Sequence, residues 1–197
     1  MKRELLPEDI LRFLKLAYFG KSENSIELAG KRAYRDFCRT IRNFKSNDFE
    51  ERKKVRDSVI SLIADEVKIC PLFKNQSEYD KWHTTLCEKI INTFSSQATL
   101  FYGQAQKWLN MTIKYSVVLA VPQITQFIPF LHAPVDNKVL EMAKNNLKVH
   151  AQDFPWSKWS KEIYIDYQNK LRIAVPNNTT PFVWEFINWE PFSIEDE

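Results

Sequence analysis

At 197 residues, with 44% apolar and 27% charged side chains, the chain lies in the range of globular proteins, which excludes a disordered or collagen-like polymer. It holds only three Gly, which argues against a glycine-rich phosphate loop and against a sheet with many tight turns. A net charge of +3 permits a polyanionic partner without requiring one.

Apolar residues recur at three- and four-residue spacing, so the expected fold is all-α: one multi-helix domain over residues 1–197. Met1-Lys2-Arg3-Glu4 leads into a charged helix rather than a signal peptide. Pro7 suits a first helical turn, Ile10, Leu11, Leu14 and Tyr18 make an apolar face, and Gly20 stops the helix. Ser25 is expected to cap a second helix running to about Lys45. Asn47 or Asp48 caps a third, with Val55, Val59, Ile60 and Ile63 inward and Pro71 beyond its end. A fourth starts at Ser77 and carries Trp82, Leu86, Ile90, Ile91 and Phe94. After a polar stretch containing Gly103, a fifth runs from about Gln104 to Val121. Pro122 and Pro129 bracket an irregular segment, and a sixth helix starts at Pro134-Val135-Asp136 and reaches about His150. Trp156-Ser157-Lys158-Trp159 is a connection, a seventh helix covers about Lys161 to Ala174, and Thr180-Pro181 opens a short last one.

Cys38, Cys70 and Cys87 are odd in number and form no C-x-x-C pair. A disulfide framework or zinc ribbon is not expected, and three cysteines are too few for a four-cysteine iron–sulfur cluster. No metal or cofactor is therefore expected, and the thiols read as reduced, in a cytoplasmic protein. The longest apolar stretch, Ser116 to Val121, is too short to cross a bilayer, so no membrane partner is expected.

Two constellations carry chemistry. Arg32, Arg35, Arg39 and Arg42 are spaced three, four and three apart, which places them along one side of helix two. Such a row either neutralises successive phosphates or forms a solvated face with partners such as Asp36. The second constellation joins Tyr102-Gly103-Gln104-Ala105-Gln106-Lys107-Trp108 to His132-Ala133-Pro134-Val135-Asp136-Asn137-Lys138-Val139. The first segment is a turn entering an apolar helix with a lysine in its first turn, where the helix dipole disfavours a cation. A positive helix end and adjoining basic groups favour the neutral amine that nucleophilic attack requires. The second puts Asp136 at a helix start, where it caps the helix and still faces a site. Trp156, Trp159, Trp184 and Trp189 either stack on a base or fill a core.

These two segments resemble the helix–hairpin–helix DNA glycosylase superfamily, in particular its 8-oxoguanine glycosylases. His132 to Val139 is similar to the family segment that delivers a catalytic aspartate at a helix start. Gln106-Lys107 and the apolar helix after it are similar to the family's lysine-bearing helix. The likeness covers about 40 residues, within 98–150, and Gly103 alone stands for the family's glycine-rich hairpin. The resemblance implies a DNA glycosylase with lyase capability that flips a damaged or modified base out of double-stranded DNA, in repair or antiviral defence. Lys107 would be the attacking amine, and Asp136 would orient it and stabilise the developing oxocarbenium charge. Gly103, Gln104, Gln106, Arg35, Arg39, Arg42 and His132 are the candidate nucleic-acid contacts. Two other readings stand beside it: an inactive helical module that binds nucleic acid or a protein partner, and an enzyme acting on free nucleosides through the same pocket.

Overall fold

The computed structural model describes residues 5–190, and the charged lead Met1–Glu4 and residues 191–197 lie outside them. Among the described residues the regular structure is helical, without a strand. The α-helices are α1 (Pro7–Phe19), α2 (Ser25–Phe37), α3 (Phe49–Lys68), α4 (Gln76–Phe94), α5 (Tyr102–Val118), α6 (Pro122–Thr125), α7 (Asn137–Met142), α8 (Lys161–Ala174) and α9 (Pro181–Asn188).

Local chemistry sets most of these boundaries. The side chains of Asn24, Asp48, Asn75, Asp136, Ser160 and Thr180 each accept a hydrogen bond from a backbone N–H of the first turn that follows. Asn24 caps α2 in place of the expected Ser25, and α4 starts at Gln76, one residue before the expected Ser77, because Asn75 reaches its orphan donors. Gly20 ends α1 at φ +86°.

Four elements depart from the sequence reading. The segment from Pro122 that reads as irregular forms the short α6 and a 3-10 turn, Ile128–Phe130. Helix α2 stops at Phe37 instead of continuing to Lys45. A 3-10 turn, Cys38–Thr40, follows it, and Ile41 then leaves in extended conformation to enter the core. Beyond it, the Lys45 N–H reaches the Gln97 carbonyl at 2.7 Å, so this strap is tied to the turn between α4 and α5. Helix α7 is shorter than expected and widens into a π-helical turn, Ala143–Leu147, ended by Lys148 in the left-handed region. The apolar face of α1 remains on the surface: no residue of that helix is buried, and Leu14 is 56% exposed. It meets the body through its last turn, where Tyr18 and Phe19 pack edge-on against Tyr115.

Helix α5 is the axis of the fold. Every residue from Tyr102 to Ile113 is buried, between α2, α4, α8 and the turn at Trp156–Lys158. Trp108 is fully enclosed by Tyr34, Phe37 and Phe94, and its indole N–H donates to the Gly30 carbonyl at 3.2 Å. Trp156, Trp159 and Trp184 are core residues, whereas Trp189 is half exposed.

Candidate active site

Positions 107, 111, 114 and 115 fall on one face of α5, because offsets of four, seven and eight residues return to the same side of a helix. Lys107, Met111, Lys114 and Tyr115 form the floor of a cleft of about 570 Å³. Its walls come from Tyr18 of α1, from Arg32, Arg35 and Asp36 of α2 with Arg39 just beyond, and from Asp136, Glu185 and Trp189. A volume of this size suits a nucleotide-sized ligand.

The expected lysine and aspartate meet here. Lys107 Nζ donates to Asp136 Oδ2 at 2.6 Å, while Asp136 Oδ1 caps α7 by accepting from the Val139 N–H at 2.9 Å. One carboxylate thus serves the helix end with one oxygen and the amine with the other. The lysine side chain is 6% exposed and the aspartate 27%, so the ammonium lies deep and its partner opens to the cleft. Lys107 is in the second turn of α5 rather than the first, and Asp136 offsets the dipole penalty expected for a cation there.

A buried polar network explains why the aspartate is held where it is. The Gln106 side-chain amide pairs with both backbone groups of Val135: Nε2 donates to the carbonyl at 3.0 Å, and Oε1 accepts from the N–H at 3.3 Å. Consecutive residues of α5, Gln106 and Lys107, thereby grip consecutive residues of the loop, Val135 and Asp136. Gln168 of α8 holds the Ala133 carbonyl at 2.8 Å. His132 sits between Tyr164 (2.8 Å) and Asp80 (2.7 Å), and Asp80 is clamped by both Arg172 nitrogens.

One assignment of protons satisfies the chain from Cys87 to Asp80, and leaves the 2.7 Å approach of Arg172 Nη2 to His132 Nε2 as a contact between two donors, both turned to Asp80. Asn110 Nδ2 donates to Gln106 Oε1 and to the Tyr164 hydroxyl, Tyr164 donates to His132 Nδ1, and His132 Nε2–H donates to Asp80. At the other end His83 Nε2–H donates to Asn110 Oδ1, and its Nδ1 accepts from the Cys87 thiol. Burial keeps both imidazoles below their ordinary pKa, so both rest neutral. Burial works against the Asp80 carboxylate, but hydrogen bonds from His132 and Gln76 and the charge of Arg172 outweigh it and hold its pKa far below the ordinary range.

Several residues expected to touch nucleic acid belong instead to this interior. Gly103 lies against the Trp156–Trp159 turn: a Cβ there would stand 1.9 Å from the Trp156 carbonyl oxygen, and the Gly103 N–H already donates to the Trp159 carbonyl. That amide is not free for a phosphate. Gln104 closes a capping box on the Phe101 N–H and donates to the Thr40 carbonyl. Gln106 and His132 are enclosed by the network above. The arginine row is broken where α2 ends: Arg35 and Arg39 line the cleft, and Arg42, beyond the 3-10 turn, is exposed and does not.

The sequence reading missed a second lysine–carboxylate pair. Lys114 donates to both oxygens of Glu185, at 2.7 and 2.8 Å, beneath the rings of Phe186 and Trp189. Burial raises the Glu185 pKa against the opposing charge of Lys114. Two signals were present: Lys114 is seven residues after Lys107 on the same helix face, and Glu185 is the lone charge in the apolar helix Pro181–Asn188. Asp36 accepts from the Tyr115 hydroxyl and pairs with Arg32 at 3.7 Å, and the Arg32 guanidinium lies over the Tyr18 ring.

Among the described residues no three His, Cys, Asp or Glu side chains gather as metal ligands, and no helix is long and apolar enough to cross a membrane. The cleft thus offers a buried amine, a partly open carboxylate, aromatic rings and guanidinium groups. Comparison with protein-family models, with curated proteins and with solved structures finds no match.

Proposed function

We propose that the cleft is the active site of an N-glycosylase with lyase capability, with Lys107 as nucleophile and Asp136 as its charge partner. The observation that carries the reading is the Lys107–Asp136 contact of 2.6 Å at the floor of a cleft with aromatic and cationic walls. In this reading α4, the turn at 95–101 and α5 correspond to the family's helix–hairpin–helix unit.

The chemistry follows from the pair. The ammonium passes a proton to Asp136 Oδ2, and the neutral Nζ attacks C1′ of a nucleoside unit. The C1′–N bond breaks with its electron pair going to the departing base, which takes up the proton through Asp136. Once the proton has left, the carboxylate faces the positive charge that develops on C1′ and the ring oxygen. The C1′–O4′ bond then breaks with its electron pair going to the ring oxygen, which takes a proton from Nζ, and the protonated C=N linkage left between Lys107 and C1′ is reduced by borohydride to a stable amine.

The test is borohydride trapping on duplex and single-stranded DNA bearing oxidised or otherwise modified bases. A covalent adduct is expected with the wild type and not with Lys107→Gln. Absence of both adduct and base release across the panel would overturn the reading and favour a non-catalytic module. One observation favours a second substrate form: the Gly103 amide is occupied, so the phosphate contact of a duplex-binding hairpin is lacking. Base release from free nucleotides but not from duplex DNA would establish that form.

A further inference from the structure

We infer that the cleft is built to receive a phosphorylated substrate and that its phosphate seats on Arg35 and Arg39. The inference rests on the nucleoside reading of the site given above and adds the group by which the substrate is held.

The basis is how the charges in the cleft are paired. Five cationic and three acidic side chains line it: Arg32, Arg35, Arg39, Lys107 and Lys114 against Asp36, Asp136 and Glu185. Each acid is taken by one base. Asp136 holds Lys107 at 2.6 Å, Glu185 holds Lys114 at 2.7 Å, and Asp36 holds Arg32 at 3.7 Å. Among the described residues no carboxylate pairs with Arg35 or Arg39, which leaves an excess of two positive charges. A cleft with low-dielectric walls concentrates such an excess, so it selects an anion. A phosphate monoester carries about −1.5 to −2 charge at pH 7, which matches two guanidinium groups, and its oxygens suit their forked donors.

The placement also orders the substrate. Arg35 stands on α2 and Arg39 on the 3-10 turn that follows it, while the amine lies on the α5 floor. An anion on these arginines leaves the sugar and base to reach Lys107, with Tyr18, Tyr115 and Trp189 at hand for stacking. The same two charges would equally serve two phosphodiester groups of a strand, so the phosphate has two sources: a free nucleotide or a single strand.

Calorimetric titration of the full chain with inorganic phosphate, thymidine 5′-monophosphate, thymidine and a single-stranded hexanucleotide tests this. The Lys107→Gln variant is titrated in parallel, so that binding is read without chemistry and failure of the glycosylase reading is seen separately. Thymidine monophosphate should bind more tightly than thymidine, with inorganic phosphate competing. Arg35→Ala and Arg39→Ala should each weaken it by at least about tenfold, the size of one charge-assisted contact. Arg42→Ala removes the same charge outside the cleft and should change affinity less than about twofold, as expected for a screened surface charge. Hexanucleotide binding whose log–log salt slope of about −1.4 vanishes in the Arg35→Ala/Arg39→Ala variant would identify the strand as the source. Monophosphate binding without it would identify the free nucleotide. Equal losses in all three arginine variants, or affinity unchanged in the double variant, would overturn the inference.

Discussion

Replacing Gly103 by alanine separates two roles for this residue. If the glycine served to bring a backbone amide to a phosphate, alanine would weaken DNA binding and leave the fold intact. The geometry gives the opposite expectation. The added methyl would stand 1.9 Å from the Trp156 carbonyl oxygen and must retreat to at least 3.0 Å, so backbone has to move by about 1.1 Å. The obstacle is main chain in a turn closed by hydrogen bonds from Lys158 N–H to Pro155 and Trp159 N–H to Trp156, so no rotamer change relieves it. Overpacking of this kind costs about 1–3 kcal/mol. Pulling the turn away also breaks the hydrogen bond from Gly103 N–H to Trp159, worth about 1 kcal/mol or more when the donor stays buried. Alanine's better helix propensity returns at most about 1 kcal/mol. The expected net loss is about 2 kcal/mol, or about 4–8 °C in Tm for a chain of this length. Urea denaturation and calorimetry of Gly103→Ala read it directly. A variant within about 0.5 kcal/mol of wild type, the usual range for a substitution that touches nothing, would refute the packing account.

Asp136→Asn keeps the α7 cap, since an amide oxygen accepts from Val139 N–H, but strands the buried Lys107 ammonium. It should cost about 2–3 kcal/mol, below the range for a fully buried pair because the aspartate is partly open. Lys107→Met should cost less, because Asp136 keeps its cap and its solvent; equal losses in urea melts would show that burial does not differ between the partners as described. His83 and His132 have folded pKa values lowered by burial, so the unfolded chain binds more protons as pH falls through about 6.5. Stability should drop by up to about 1.4 kcal/mol per imidazole for each pH unit below that, until the folded pKa is reached. Asp80 acts in the same direction in a more acid window: its lowered pKa gives stability that is present above about 3.8 and is lost as pH falls below it. Denaturation at pH 7.5 and 5.5 should therefore show a loss that His132→Asn reduces, and a flat profile would contradict the neutral assignment. Lys114→Met leaves the Glu185 carboxyl at 2% exposure without its cation and should destabilise more than Lys161→Met, whose pair with Glu88 is on the surface.

What the sequence determines by itself is local. Helix starts are legible because a cap is a contact between a side chain and a backbone group two or three residues away, as at Asp48, Asp136 and Thr180. The extent of α8, Lys161–Ala174, matches the range read from its apolar period. Lys107 and Asp136 are legible as a pair because their flanking residues resemble a known motif, even though 29 positions separate them. Tertiary structure decides everything that depends on which surfaces meet. Nothing local tells α2 to stop at Phe37; the core beneath Ile41 does. Periodicity gives α1 an apolar face, but whether that face is covered depends on neighbours, and among the described residues none buries it. Gln104, Gln106 and His132 have the polarity of ligand contacts and become interior clamps: Gln104 ties the start of α5 to Thr40, Gln106 satisfies the Val135 backbone away from water, and the His132 ring bridges Tyr164 and Asp80. Lys114 and Glu185, 71 residues apart, meet only through packing of α9 beside α5. The sequence thus presents a lysine, an aspartate and a row of arginines. Folding adds Asp36, Lys114 and Glu185, makes three ion pairs in the cleft and, among the described residues, leaves Arg35 and Arg39 without a carboxylate, because burial requires a partner for each charge it encloses and leaves unpaired only those that water still reaches.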